Sequence, residues 1–279
     1  MRVQGNARLR ALVSVLACSL WLALFLAACA KAPVTGRSQL ILISPSQEKA
    51  LGLKTAQEIL KKEEIDHDPQ LNALLQRVGH RIAQAAHRPD FDWEFYLIKK
   101  DDVVNAFCLP GGKVFVYTGI LKYTQNECGL ATVIGHEVAH ALARHGAERM
   151  TLALLSEVGE KALEAALASQ GPTTVNAMRM VYGLTSQVGV LLPYSRKQEF
   201  EADHIGLILM ARAGYDPRCA LAFWKRMKRA EKGERPPVFL STHPTDEARI
   251  ERIKHLLPQA ISIYKKTLER RKSHERSNT

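Results

Sequence analysis

Residues 124–146 read TQNECGLATVIGHEVAHALARHG. Thr124 followed three places later by Glu127 has the pattern of a capping box, in which each side chain satisfies a free amide of a first helical turn. The residues that follow are apolar or small until His136, so the spacing predicts a buried helix running to about Arg144 and stopped by His145-Gly146. Within it, His136 and His140 are four apart and stand one above the other on a helix face, so both rings can reach one ion. Glu137, one place on, can reach a water beside that ion but not the ion itself. This is the arrangement of zinc with a general base. Stacked core histidines are the plain structural alternative.

Outward from this helix the pattern is mixed. Stretches 51–64 and 69–87 place apolar residues such as Leu71, Leu74, Leu75, Val78 and Ile82 at helical spacing. Asp92 to Ile98 alternates as a strand does. Val103 to Tyr117 is two β-rich runs around Pro110-Gly111-Gly112, a hairpin signal. Downstream, helices are expected near 147–168, 174–191, 195–212 (ended by Gly214), 217–231 and 244–257, with Gly171-Pro172 dividing the first two. The expected fold is α+β and mainly helical: a small antiparallel sheet packed by the His-Glu-x-x-His helix, and the remaining helices as a second lobe.

A catalytic zinc takes three protein ligands, so one more is needed. Glu199-Phe200-Glu201-Ala202-Asp203 offers candidates. Glu199 and Asp203 are four apart on one face, and Glu201 points roughly opposite. Glu199 as ligand with Asp203 orienting a ligand histidine fits the usual construction of such sites. The competing readings are Glu201 as ligand, or an ordinary acidic helix start.

Together these stretches resemble the gluzincin zinc metalloproteases, the family that holds the CAAX prenyl endopeptidases, the HtpX stress protease, the mitochondrial overlapping-activity protease and periplasmic lipoprotein proteases. The resemblance rests on Pro33-Val34-Thr35-Gly36-Arg37, Asn105-Ala106-Phe107 with Pro110-Gly111-Gly112, His136-Glu137 with His140, Glu199 to Asp203, and Ser241-Thr242-His243-Pro244 with Arg249. It implies a zincin-like domain over residues 51–264, with His136, His140 and Glu199 holding one zinc ion (Zn2+) and Glu137 as base. It also implies a place for His243 beside the site, either as a fourth ligand that keeps the enzyme latent or as a hydrogen-bond donor to the developing oxyanion. Arg249 could serve the same oxyanion. The alternative is a loop in which Pro244 simply begins a helix. Asn105, Ala106 and Phe107 would lie on a strand beside the zinc helix, free to pair with an extended substrate or else a plain core strand. The other seven histidines receive no role.

The beginning of the chain reads as an address. Residues 1–10 are basic, residues 11–28 carry no charge, and Leu26-Ala27-Ala28-Cys29 follows. That is a secretory signal over 1–28 with a bacterial lipoprotein ending, in which Cys29 would be lipidated. An uncleaved signal anchor is the alternative. Ala30 in place of an aspartate favours the outer membrane. Residues 29–50 read as a tether with one short strand, Leu40 to Ile43. The body resembles the soluble, lipid-anchored branch of the family, without the long helical-repeat tail some members append.

The 39 Lys and Arg against 28 Asp and Glu give a net charge of +11. Three of those charges, Arg2, Arg8 and Arg10, lie in the leader, and the tail 265–279 adds six basic residues against two acidic ones. What remains shows no basic stripe interleaved with aromatics, which argues against nucleic-acid binding. After cleavage Cys108, Cys128 and Cys219 remain, enough for at most one disulfide. A Cys108–Cys128 pair and three unpaired buried thiols both stay open. The expected partners are unfolded or misfolded envelope proteins as substrates, and a membrane through the lipid. The rival from another class is a zinc-bearing periplasmic chaperone for outer-membrane proteins that never cuts them. Retention of Glu137 argues against it.

Overall fold

The computed structural model describes residues 29–166, 192–231, 233 and 237–277. The expected signal segment 1–28 and the expected helix at 174–191 lie outside them. Strands β1 (Cys29–Lys31) and β2 (Ser38–Leu40) pair antiparallel and close the turn 32–37. Helices α1 (Pro45–Lys62) and α2 (Pro69–Ala86) follow, then strands β3 (Glu94–Ile98), β4 (Ala106–Leu109) and β5 (Lys113–Tyr117). Next come the short α3 (Leu121–Thr124), α4 (Glu127–Leu142), α5 (His145–Ala166), α6 (Leu192–Arg212), α7 (Arg218–Glu231), the single-turn α8 (Phe239–Thr242) and α9 (Glu247–Ser277). Among the described residues no helix is long and apolar enough to cross a membrane.

The second sheet is mixed rather than purely antiparallel. Its order is β3-β5-β4, with β4 antiparallel and β3 parallel to β5. The physical reason is burial. Val114, Phe115 and Val116 are fully buried, so β5 takes the centre and the less buried β4 is left at an edge. The hairpin turns at Gly111 and Gly112, both at positive φ, as the sequence pattern requires. Ala56 of α1 packs with Ile98 and Phe115 on one face of the sheet, while α2 and α4 cover the other.

The helix α4 is the centre of the core: every residue from Gly129 to Leu142 is buried. Its cap is Asn126, whose Oδ1 accepts the Gly129 amide at 2.9 Å, not Thr124. Thr124 instead ends α3 and donates its hydroxyl to Leu121 O, so the expected capping box does not form. Gly129 is required by close approach, because a Cβ there would lie 2.0 Å from Thr124 O. α4 crosses α6 at Gly135 and Gly206, where an added Cβ on either would meet the other's backbone at 3.2 Å. Two small residues at the crossing let the helix axes come close, and that closeness brings α6 side chains to the histidines of α4.

Other boundaries moved for local reasons. The strand expected over Leu40 to Ile43 lies earlier, at Ser38–Leu40, because the turn with Val34 and Gly36 at positive φ brings Ser38 back opposite Lys31. α4 ends at Leu142, the helical path breaks at Arg144 with φ 55°, and His145 begins α5 rather than ending α4. α9 runs through Pro258 and on past residue 264, and Arg271 near its end donates to Ala213 O at 2.8 Å. The disulfide joins Cys128 to Cys219, pinning the first turn of α4 to the first turn of α7, and Cys108 is free. Cys108 lies close enough to Glu137 to feel its charge. Cys128 is already bonded to Cys219, so the Cys108–Cys128 pair does not form.

Candidate metal centre

The two histidines of α4 meet the carboxylate of α6 as the sequence spacing suggests. His136 Nε2 and His140 Nε2 are 3.1 Å apart. Glu199 Oε2 lies 3.2 Å from His136 Nε2, and Glu199 Oε1 lies 3.3 Å from His140 Nε2. The loop after α8 brings a fourth donor: His243 Nδ1 is 3.2 Å from His136 Nε2 and 3.0 Å from Glu199 Oε2. All four donor atoms lie within 4.8 Å of one another, and all four residues are buried. Tetrahedral zinc with bonds of about 2.0–2.1 Å sets its donors about 3.3 Å apart, so three of these residues, or all four, fit one such ion. Two buried carboxylate oxygens, Glu199 Oε1 and Glu137 Oε1, have no hydrogen-bond partner within the protein. A buried acceptor without a donor is costly, and a metal ion and its water supply what these two lack.

The electrostatics agree with the geometry. Burial alone would raise the Glu199 carboxyl, but His140, His136 and His243 hold it far below the usual carboxylate range. Burial also opposes charge on His136, yet its bonds to Asp203 and Glu199 win and push it up to about 9. His140 has burial uppermost and is held well below its ordinary value, as a neutral ligand nitrogen should be. Glu137 is pushed up by burial, against the pull of His243 and His136.

Asp203 stands one turn beyond Glu199, its Oδ1 3.1 Å from His136 Nδ1. Arg249 on α9 grips that carboxylate twice, Nε to Oδ2 at 2.7 Å and an Nη to Oδ1 at 2.9 Å, and donates to Pro244 O at 2.9 Å. Its guanidinium is stacked 3.5 Å above the Trp224 ring, and it is 1% exposed. An Nη of Arg249 also lies 3.2 Å from Glu199 Oε2, so it faces both Glu199 and Asp203. His243 packs on Phe239 with ring centroids 4.5 Å apart, and its Nε2 is 3.5 Å from Glu137 Oε1.

Asn105 leads into β4, an edge strand of its sheet, which packs against α4. Ala106 is buried, and Phe107 stacks on Phe115 at 5.1 Å. Burial, and then the Glu137 charge, push the Cys108 thiol up. Cys29 begins β1, opposite Leu40.

Residues 69–257 match the model of peptidase family M48. The chain belongs to that family. It is 41% identical over 185 residues to the mitochondrial metalloendopeptidase OMA1 of Schizosaccharomyces pombe, covering 66% of this chain and 52% of that one. To its namesake in Saccharomyces cerevisiae it is 34% identical over 255 residues, 85% of this chain and 71% of that one. To the beta-barrel assembly-enhancing protease of Escherichia coli (strain K12) it is 29% identical over 223 residues, 78% of this chain and 45% of that one. The chain therefore spans about half the length of the first and third of these relatives.

Sequence reasoning gave no role to His145, Glu148 or Arg37, and did not foresee what covers Glu201 on the face opposite Glu199. His145 is fully buried, with its Nδ1 2.8 Å from His140 Nδ1. Glu201, expected to face away from the site, is buried under the turn 32–37. The available signals were a third histidine five residues after His140 and the Thr-Gly-Arg turn.

Proposed function

We propose that this M48 chain is a zinc endopeptidase of the bacterial cell envelope that degrades misfolded or unassembled proteins. The observation that carries the chemistry is the set of donor atoms 3.1–3.3 Å apart on His136, His140 and Glu199, with the unpartnered Glu137 Oε1 beside it. When bound, zinc lowers the pKa of a water and polarises a carbonyl. Glu137 takes a proton from a water in the site and returns it to the leaving amine. Burial pushes its carboxyl up from the ordinary carboxylate range, which favours proton uptake from that water. Asp203, fixed by Arg249, holds the His136 ring so that Nε2 faces the ion. Arg249 is therefore a positioning residue rather than an oxyanion donor.

The edge of β4, from Asn105 through Ala106 and Phe107, offers a place for an extended substrate backbone to pair, which asks little of its sequence. With its Nδ1 3.2 Å from His136 Nε2 and 3.0 Å from Glu199 Oε2, His243 would supply a fourth ligand to such an ion. The segment carrying it bonds Phe239 N to Val104 O at 2.9 Å, just ahead of that edge. In this conformation His243 closes the site, and opening it admits substrate.

Envelope placement is supported by the basic and apolar leader ending Leu26-Ala27-Ala28-Cys29, with Cys29 the lipidated residue. A disulfide across 91 residues suits an oxidising compartment, and the E. coli relative carries a name tied to β-barrel assembly. The test is cleavage of an unfolded protein such as casein by the purified chain, with zinc assayed alongside. Glu137→Gln is expected to keep stoichiometric zinc and lose at least a hundredfold in kcat. Turnover at the wild-type rate in that variant overturns the mechanism. Zinc without cleavage in the wild type favours a binding role instead.

A further inference from the structure

Outside the donors themselves lies a chain of buried polar groups that no step above uses. A histidine that binds metal through Nε2 carries its proton on Nδ1, and that proton needs an acceptor. For His136 the acceptor is Asp203. For His140 no carboxylate stands there: the atom within reach is His145 Nδ1, at 2.8 Å. His145 must then keep Nδ1 unprotonated and carry its own proton on Nε2, which lies 3.0 Å from Glu201 Oε2. Glu201 in turn accepts from Arg37 Nε at 2.7 Å and from the Thr35 hydroxyl. The two Nη groups of Arg37 bind Glu148 at 2.7 and 2.8 Å, and Gln198 donates to the same Glu148 at 2.8 Å. His145, Glu148, Gln198 and Glu201 are all buried, whereas Arg37 keeps 22% of its side chain exposed. Three bonds thus connect the turn 32–37 to a candidate ligand more than a hundred residues away in sequence.

We propose that the N-terminal turn positions His140 for metal through Arg37, Glu201 and His145. The relay fixes the tautomer of His140 and the plane of its ring, as Asp203 does for His136. Its outer member lies eight residues beyond Cys29, so whatever displaces that turn loosens the metal. This inference rests on the zinc reading above.

The experiment is zinc affinity of the full chain by competition with a chromophoric chelator, together with the visible spectrum of the Co2+-loaded form. His145→Phe keeps the volume and removes the acceptor; it is expected to weaken zinc by about 10- to 100-fold. Arg37→Ala should weaken it in the same direction and shift the Co2+ bands, with Arg37→Lys recovering part of the loss. The double variant should be no weaker than His145→Phe alone, because both act through one bond. A merely structural role would lower melting temperatures and leave affinity and spectrum unmoved. Should His145→Phe not fold, Arg37→Ala and Glu201→Gln decide. Wild-type affinity and wild-type Co2+ bands in Arg37→Ala, or losses that multiply in the double variant, overturn the proposal. Absence of zinc from the wild type itself would instead overturn the metal reading on which it rests.

Discussion

Arg249→Met removes the guanidinium that neutralises Asp203 and keeps most of its bulk. The side chain is 1% exposed and holds Asp203 through two bonds of 2.7 and 2.9 Å. Burial would raise Asp203, but chiefly Arg249, and then His136, keep it ionised. Without Arg249 a buried carboxylate is left with one partner, the His136 ring. Breaking a buried pair from one side costs about 3–5 kcal/mol. For a domain of this size that is a fall of roughly 6–20 °C in melting temperature. The assay is thermal unfolding by circular dichroism on metal-stripped protein, so that lost zinc does not enter. Asp203→Asn added to Arg249→Met removes the stranded charge but keeps an acceptor for His136 Nδ1–H, and should recover at least half of the loss. A single variant within about 1 kcal/mol of wild type refutes the reasoning. So does a second substitution that deepens the loss, since the cost would then come from lost packing on Trp224 rather than from stranded charge.

His243→Ala should raise casein cleavage while zinc stays bound, because the other three donors remain; unchanged or lower kcat/KM would show that His243 does not close the site. Removing the disulfide by Cys128→Ala with Cys219→Ala frees a loop of 91 residues. The chain-entropy relation gives about 4.6 kcal/mol at 25 °C for that loop, read as a lower melting temperature that reductant reproduces in the wild type. In the metal-free chain His136 is raised from 6.5 to about 9, so its contribution to stability is full below pH 6.5 and is lost as pH rises to about 9. Melting temperatures in chelator should fall across that window and those in zinc should not; a flat metal-free profile would remove this account of His136.

The His136-Glu137-His140 unit and the Glu199–Asp203 pair were legible because helical spacing alone decides which side chains share a face. The β4–β5 hairpin was legible for a similar reason, its two glycines being suited to positive φ. What lay beyond local spacing was not. His145 sits after a helix break at Arg144, and only the left-handed conformation there swings its ring back onto His140. Glu201 faces away from Glu199 as periodicity requires, but the sequence does not say that the turn at Arg37, 164 positions earlier, folds over that side. The parallel pairing of β3 with β5 depends on which strand the core buries most. The partner of Cys128 depends on where α7 docks, and spacing carries no information about either.

The distribution of charge around the site gives an independent reason for the ion. Glu137, Glu199 and Asp203 are three buried carboxylates, and the buried permanent cation beside them is Arg249, with Arg149 acting on Glu137 from the exposed side. That leaves two negative charges in a place from which water is largely excluded, where uncompensated charge is costly. A proton on His136 offsets one of them, which is the sense of its raised pKa, and burial of Glu137 offsets part of the other by favouring its protonated form. A dication offsets both at once and releases those protons. The same carboxylates that would be a liability in a metal-free core therefore favour a divalent ion, and on the proposed reading Glu137 would be deprotonated, as a base must be, once that ion is bound.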